Sequence, residues 1–426
     1  MSSNAPGKAQ RSVGIIGAGL SGLCAARTMT ESGYQVRLFE AADRPGGRMV
    51  TDVVDGFLLD RGFQVFLTSY PEAQARLDYR SLSLQEFYPG ALIQIGRDRY
   101  RFADPWRKPL AGIRSLTAPV AGLGDLWLTA RLRYGRECLT DGAVFKGMAS
   151  DDGEQQTAQS FLQSFGFSDR MIDRFFKPFF GGVFLDRDLS VPHPFLCFLF
   201  RMFAIGTATV PEKGMGAIPS QLASELPDGT VRYGASVERI ENGCIHLSDG
   251  SSYATDAVIV ATDAHAAASF LPGVQAPASR ATTTVYFAAD QSPLREPILW
   301  LNANDGVVNH LAVMTDAAPS YSKDGRALVS VTLLGDHDEA VVDQVQKELS
   351  VYFGDPVKRW QLVSVYRIRH ALPGGALSQP SEGSSQSRAH DGIFFAGDHT
   401  QSPSIQGAMV SGRETAEQVC AYLAAG

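Results

Sequence analysis

An α/β fold, with a nucleotide-binding domain and a second, discontinuous α+β domain, is predicted by three observations. A glycine-rich turn lies between two short apolar strands near the N-terminus. An apolar strand ending in Gly397 and Asp398 lies near the C-terminus. A long aromatic-rich stretch separates them. At 426 residues the chain allows about two to three domains of roughly 100–200 residues each. Its 44% hydrophobic content is ample for a buried core.

Val13–Ile16 reads as a short buried strand. The turn Gly17, Ala18, Gly19, Leu20, Ser21, Gly22 follows, then a helix over Leu23–Ser32 that stops at Gly33. Gln35–Phe39 is the second strand, with Glu40 at its end. In this setting Gly17 makes the tight turn, Gly19 lets the backbone approach a pyrophosphate, and Gly22 lets helix and strand pack closely. The helix start then offers N–H groups and a positive dipole end to phosphate. Glu40 stands 18 residues beyond Gly22, near the usual spacing for a carboxylate that accepts from ribose hydroxyls. Pro45, Gly46 and Gly47 form a sharp loop, and Arg48 after it is a cation suited to the pyrophosphate.

Gly392–Asp398 is an apolar strand ending in Gly-Asp, followed by a loop and a helix from Ile405 toward Leu423. Asp398 at the strand end can accept from a ribityl hydroxyl. N–H groups of Ile405, Gln406 and Gly407 at the helix start can face the N1 and O2 edge of a flavin, where negative charge gathers on reduction.

The Val13–Gly22 fingerprint, Glu40, Gly46–Arg48, and Phe395–Asp398 with Ile405–Ala408 together resemble the flavin-containing amine oxidase superfamily. That group includes monoamine oxidases, protoporphyrinogen oxidases and phytoene or carotene desaturases. The resemblance implies a Rossmann-like FAD-binding domain of the glutathione-reductase type. It also implies that Gly62, in the Asp60–Val65 stretch, passes beside the flavin ring, and that Val237 meets the adenine through its backbone. The cysteine that relatives use for covalent attachment is absent, with Ser402 and Ser404 instead, so noncovalent FAD is expected. The FAD-binding domain is expected from 11–75, 210–270 and 385–426, and the substrate domain from 76–209 and 271–384.

Residues 70–205 read as helical and aromatic, densest at Phe175–Phe184 and Phe195–Phe203. They suit either a cap over a greasy pocket or ordinary core. Hairpin strands are expected over 231–260, with turns at Asn242-Gly243 and Asp249-Gly250. Strands are expected at Thr282–Ala288, Ala327–Leu333 and Val363–Ile368, with a helix near Glu339–Tyr352.

Two departures from amine oxidases bear on chemistry. Ser404 stands where the resemblance places an aromatic residue of an amine cage. The Ala281–Phe287 strand has no lysine where relatives keep one. The expected function is therefore dehydrogenation or desaturation of a largely apolar, isoprenoid-like substrate by hydride transfer to the flavin. Amine oxidation, a redox-neutral flavin isomerase and a non-enzymatic prenyl-carrier-like protein stay as alternatives. His370 and Lys177 are the candidate catalytic groups, a histidine being able to move protons near neutral pH. His193 is a further candidate for meeting substrate, and His399 for tuning the flavin.

The net charge of −7 argues against a nucleic-acid partner. Cys24, Cys138, Cys197, Cys244 and Cys420 form no paired motif, so neither metal nor redox disulfide is signalled. Their odd number in a long chain suits a reducing, cytoplasmic setting. Glycines at 14, 17, 19 and 22 break the apolar N-terminal run, which excludes a signal-peptide reading, and Met1–Gln10 reads as a loose terminus. No run reaches the length of a membrane span. A peripheral membrane contact through the aromatic stretch stays open.

Overall fold

The computed structural model describes residues 11–115, 117–135, 156–270, 276–374 and 392–425. The loose terminus expected at 1–10, and the start of the segment expected at 385–426, lie outside them. The fold is α/β and is built on two main sheets.

The first sheet is parallel. Across it run Val231–Arg232, Gln35–Phe39, Ser12–Ile16, Ala257–Val260 and Ile393–Phe395. We label Ser12–Ile16 β1, the helix Leu20–Glu31 α1, and Gln35–Phe39 β2. Three distant stretches of chain thus meet in one sheet, with register Ile15 to Ile259 and Val260 to Phe395 fixing their ends at one edge. Strands in a parallel sheet are covered on both faces, so Ala257–Val260 is buried throughout.

Helix α1 starts at Leu20, three residues before the expected Leu23. Gly22 and Gly412 explain how closely this region packs. A Cβ at Gly22 would overlap the Gly17 carbonyl oxygen, and one at Gly412 would overlap the Ser21 carbonyl oxygen. The C-terminal helix Ile405–Ala425 therefore lies backbone to backbone against the start of α1. Arg413 on that helix reaches Glu72, which also receives Arg76.

The second sheet has seven strands, in the order Gln361–Pro373, Ser279–Ala289, Ala327–Leu334, Val308–Val313, Leu299–Asn302, Gly90–Ile95, Asp98–Ala103. One of its faces carries Val285, Phe287, Val329, Val331 and Leu333 into an apolar core with the helix Val341–Phe353. The other face looks toward the first sheet.

Stretch 70–205 is not helical throughout: Leu84–Glu86, Gly90–Ile95 and Asp98–Ala103 are strands. The reason is physical. Ala91, Leu92, Ile93 and Gln94 are all buried, so the strand shows no alternation to read. The strands Leu299–Asn302 and Val308–Val313, also outside the expected set, are hidden in the same way. The hairpins at Asn242-Gly243 and Asp249-Gly250 form as expected.

Candidate functional site

The site starts at the mouth of the parallel sheet. Helix α1 opens at Gly19 with no side-chain cap and no acidic residue in its first turn, so its leading N–H groups are open to an anion. Gly17 holds φ +100°, and a Cβ there would press on the Ala261 carbonyl oxygen at 2.9 Å. A Cβ at Gly19 would meet no protein atom within 4 Å. It would project into space that a ligand's phosphates need.

Glu40 closes the far side. Its carboxylate accepts from the N–H of Ala18 at 2.7 Å and of Ala42 at 2.9 Å. Both bonds hold it rigid at the end of β2, on the wall of a cavity of about 970 Å³. Gly46 donates to the Ala18 carbonyl at 2.9 Å, which locks the second glycine loop beside the first.

Arg48 and Asp398 were expected to serve different parts of the cofactor. They form an ion pair at 2.6 Å on the same wall. Arg48 also donates to the Ala371 carbonyl at 2.7 Å. Asp398 is buried while Arg48 keeps an open edge, so the guanidinium is both anchored and presented. Beside them the His399 ring is buried, and burial pushes its pKa down, which keeps it neutral.

Gly17, Gly19, Ser21, Glu40, Arg48, Gly62, Val237, Gly397, Asp398 and Ile405 all line this one cavity. Gly22 stands behind it, under α1. Gln406 is buried behind it too, its side chain accepting from the Glu72 N–H at 3.0 Å. At the C-terminal helix start, the Gly407 N–H is taken by Ser404 Oγ at 2.9 Å. The leading N–H groups that a helix start leaves without an intrahelical partner belong to Ile405 and Gln406. Gly62 has φ +89°, and its missing Cβ makes room for Ile368, whose Cδ1 would stand 2.8 Å away. The donor set, the glycine cradle and the anchored carboxylates fit FAD.

The candidate acid–base groups stand apart from the cavity wall. His370 is exposed, its ring lying 3.9 Å from that of His265, although its neighbours Ala371 and Leu372 line the cavity. Lys177 is half-buried and paired with the exposed Asp173 at 2.8 Å. His193 stacks on Phe161 at 5.0 Å.

From the cradle the same cavity continues into an aromatic pocket. Phe176, Phe180 and Phe184 recur every fourth residue, so they share one helix face and stack at 6.0 and 5.6 Å. They are buried. Phe175 and Phe179, one position earlier in each turn, stack at 5.4 Å and face the pocket more openly. The π-helical turn Ile172–Phe176 carries the first two of these rings, Phe175 and Phe176. Phe63, Phe87, Phe102, Phe200 and Phe203 complete the apolar wall. The sequence offered pocket or core for this cluster, and Phe176 and Phe180 do both.

Asp263, His310 and Thr332 also line the cavity and were not foreseen. Asp263 caps the helix Ala264–Ser269 just beyond the strand Ala257–Val260. That cap, following an apolar run, was its legible signal. His310 and Thr332 come from the second sheet, and the strand holding His310 showed no alternation.

A family model described as flavin containing amine oxidoreductase matches residues 20–420. Over 188 residues the chain is 28% identical to protoporphyrinogen oxidase 2 of Arabidopsis thaliana, covering 43% of this chain and 35% of that one. Over 177 residues it is 30% identical to coproporphyrinogen III oxidase of Mycobacterium leprae (strain TN), covering 41% of this chain and 37% of that one. The chain thus spans little more than a third of the length of those curated relatives. Among solved structures, a putative protoporphyrinogen oxidase from Exiguobacterium sp. 255-15 superposes with a TM-score of 0.68 at 15% identity, covering 97% of this chain and 99% of that one.

Proposed function

The chain belongs to the flavin-containing amine oxidoreductase family, and from that premise we propose that it dehydrogenates a largely apolar, alkyl or cyclic substrate. It is an FAD-dependent oxidoreductase. Bound flavin supplies a two-electron acceptor for a hydride leaving substrate carbon. The chain supplies everything else.

One observation carries the substrate class: the cradle and the phenylalanine pocket are a single continuous cavity. Phe63, Phe175 and Phe179 give a substrate apolar surface and exclude water from the reacting end. Arg107 at the pocket rim is held by the carbonyls of Phe203 at 3.0 Å and Ala204 at 3.1 Å. Arg133 beside it is held by the Ala204 carbonyl at 2.6 Å. No lysine lines the cavity among the described residues, and Ser404 lines it at the amine-cage position. Those features favour a hydrocarbon over an ammonium group. The porphyrinogen oxidases among its relatives act, by name, on large cyclic substrates, which suits the same reading.

The test is anaerobic. Holoprotein mixed with protoporphyrinogen, a cyclic alkene or an isoprenoid polyene is expected to lose its flavin absorbance, while a simple diamine leaves it unchanged. Bleaching by the diamine alone would overturn the reading in favour of amine oxidation.

FAD is proposed to be held noncovalently, since none of the described cysteines lines the cavity. A peripheral membrane contact is proposed as well. No described helix is long and apolar enough to cross a membrane. Yet Trp106, Leu110, Leu123, Trp127, Tyr134 and Ile205 are exposed on segments whose other residues, Pro105, Gly112 and Leu126 among them, border the cavity. Large exposed apolar residues gathered at a pocket rim suit an interfacial substrate source. Sedimentation with phospholipid vesicles is expected to carry the protein down, and Trp127→Ser to leave more than half in solution. Equal recovery without vesicle binding in the wild type would refute it.

A further inference from the structure

We infer that Thr332 and His310, the cavity-lining members of a polar row on the second sheet, receive an uncharged oxygen of the substrate, a carbonyl or hydroxyl. The inference rests on the apolar-substrate reading above and adds to it where such a substrate carries its polar group.

The row is built by register. Thr284 pairs with Thr332, and Thr332 pairs with His310, so the three stand side by side across adjacent strands. Side chains two apart share a sheet face. Tyr286, Leu328 and Ala312, each an even step away, pack in the core between the two sheets, so the row faces that way. His310 and Thr332 reach the cavity wall.

The row is buried, with relative exposures of 0% for Thr284, 3% for Thr332 and 5% for His310. Thr284 Oγ1, Thr332 Oγ1 and His310 Nε2 nevertheless have no hydrogen-bond partner in the protein. Buried polar atoms are nearly always paired, and three orphans in one row is a concentration that asks for a ligand. The opposite face of the sheet is the apolar core around Val331 and Phe287, so a partner can come only from the cavity side.

Asn309 decides what that partner is. Its Oδ1 accepts from Arg187 Nε at 3.2 Å, and its Nδ2 donates to the Pro178 carbonyl at 3.2 Å. These two bonds orient the amide. The same Nδ2 lies 3.0 Å from His310 Nδ1 and donates to it. An imidazole accepting at Nδ1 carries its proton on Nε2 when neutral. Burial lowers the His310 pKa to about 3, so the ring stays neutral. At the cavity wall the row therefore offers an N–H donor and the Thr332 hydroxyl, with no charge of its own to match a carboxylate or an ammonium. Phe63 packs edge-on to the His310 ring at 4.9 Å, next to Gly62 on the cavity wall, which puts the row at the cradle end of the pocket.

The experiment uses holoprotein and two probes of one skeleton, tetralin and 1-tetralone, which differ by a carbonyl. Binding is read by perturbation of the flavin absorbance. Tetralone is expected to bind about tenfold more tightly than tetralin, the worth of one to two hydrogen bonds. Thr332→Val keeps the side-chain shape and His310→Leu removes the donor. Each is expected to cut the tetralone-to-tetralin ratio by about threefold or more. Using a ratio inside each variant removes any general loss of stability. Equal binding of the two probes by the wild type would mean the row holds only buried water and would overturn the inference. So would a ratio that survives in both variants. If neither probe binds, the apolar-substrate reading fails, and the inference with it.

Discussion

Gly22→Val is expected to abolish flavin retention and to destabilise the fold together. Gly22 sits in the first turn of α1 where a Cβ would overlap the Gly17 carbonyl oxygen and stand 3.3 Å from the Ala261 Cβ. Neither neighbour can yield. One is the backbone of the turn that aims the helix at the phosphates, and the other lies just past the end of the strand Ala257–Val260, which pairs with β1. Overpacking of this kind costs about 1–3 kcal/mol. The displaced helix start also loses its aim at the pyrophosphate. An FAD Kd raised about 100-fold or more is expected, with a clear fall in Tm. Gly19→Val separates the two effects. Its Cβ would meet no protein atom within 4 Å, so Tm should hold while the side chain occupies ligand space and FAD binding falls. Fluorescence titration with FAD and thermal melting of the apo forms check both. A Gly19→Val protein that binds FAD as the wild type does would remove the cradle assignment.

Asp398→Ala carries the second large effect. The carboxylate is buried and is the ionic partner of Arg48 at 2.6 Å. Its removal frees the guanidinium to swing and takes away the acceptor expected to hold the ribityl chain. Charge-assisted bonds of this type are the strong ones. Because Arg48 is partly open to solvent, water recovers some of its loss. A rise in FAD Kd of about 10- to 100-fold is expected. Asp398→Asn keeps the shape and one acceptor and should fall between the two. Unchanged FAD affinity in Asp398→Ala would show that the ion pair is structural only.

The legible part of this protein is the part with local grammar. Strand, turn, helix and strand from Val13 to Phe39 lie within one short stretch, and glycine spacing reports the turn directly. Glu40 and Asp398 follow from the same logic, as acidic residues at strand ends. The ion pair between Arg48 and Asp398 was not legible, because 350 residues separate its members. Nor was the polar row. Thr284, Thr332 and His310 become neighbours only through strand register, and each alone is an ordinary residue in an apolar run. The strands Gly90–Ile95 and Val308–Val313 failed to announce themselves for a related reason: burial on both faces erases the period-two pattern. His370 and Lys177 were chosen by residue type and place in the chain. The structure instead sets one against His265 and the other against Asp173.

The central claim is that the glycine cradle holds noncovalent FAD in the cavity that continues into the phenylalanine pocket. The most direct test is the absorbance spectrum of the purified protein before and after acid precipitation. Flavin bands in the folded protein, with FAD recovered free in the supernatant, are the predicted result. A protein that stays colourless after incubation with FAD, or one whose flavin stays with the precipitated chain, would contradict it.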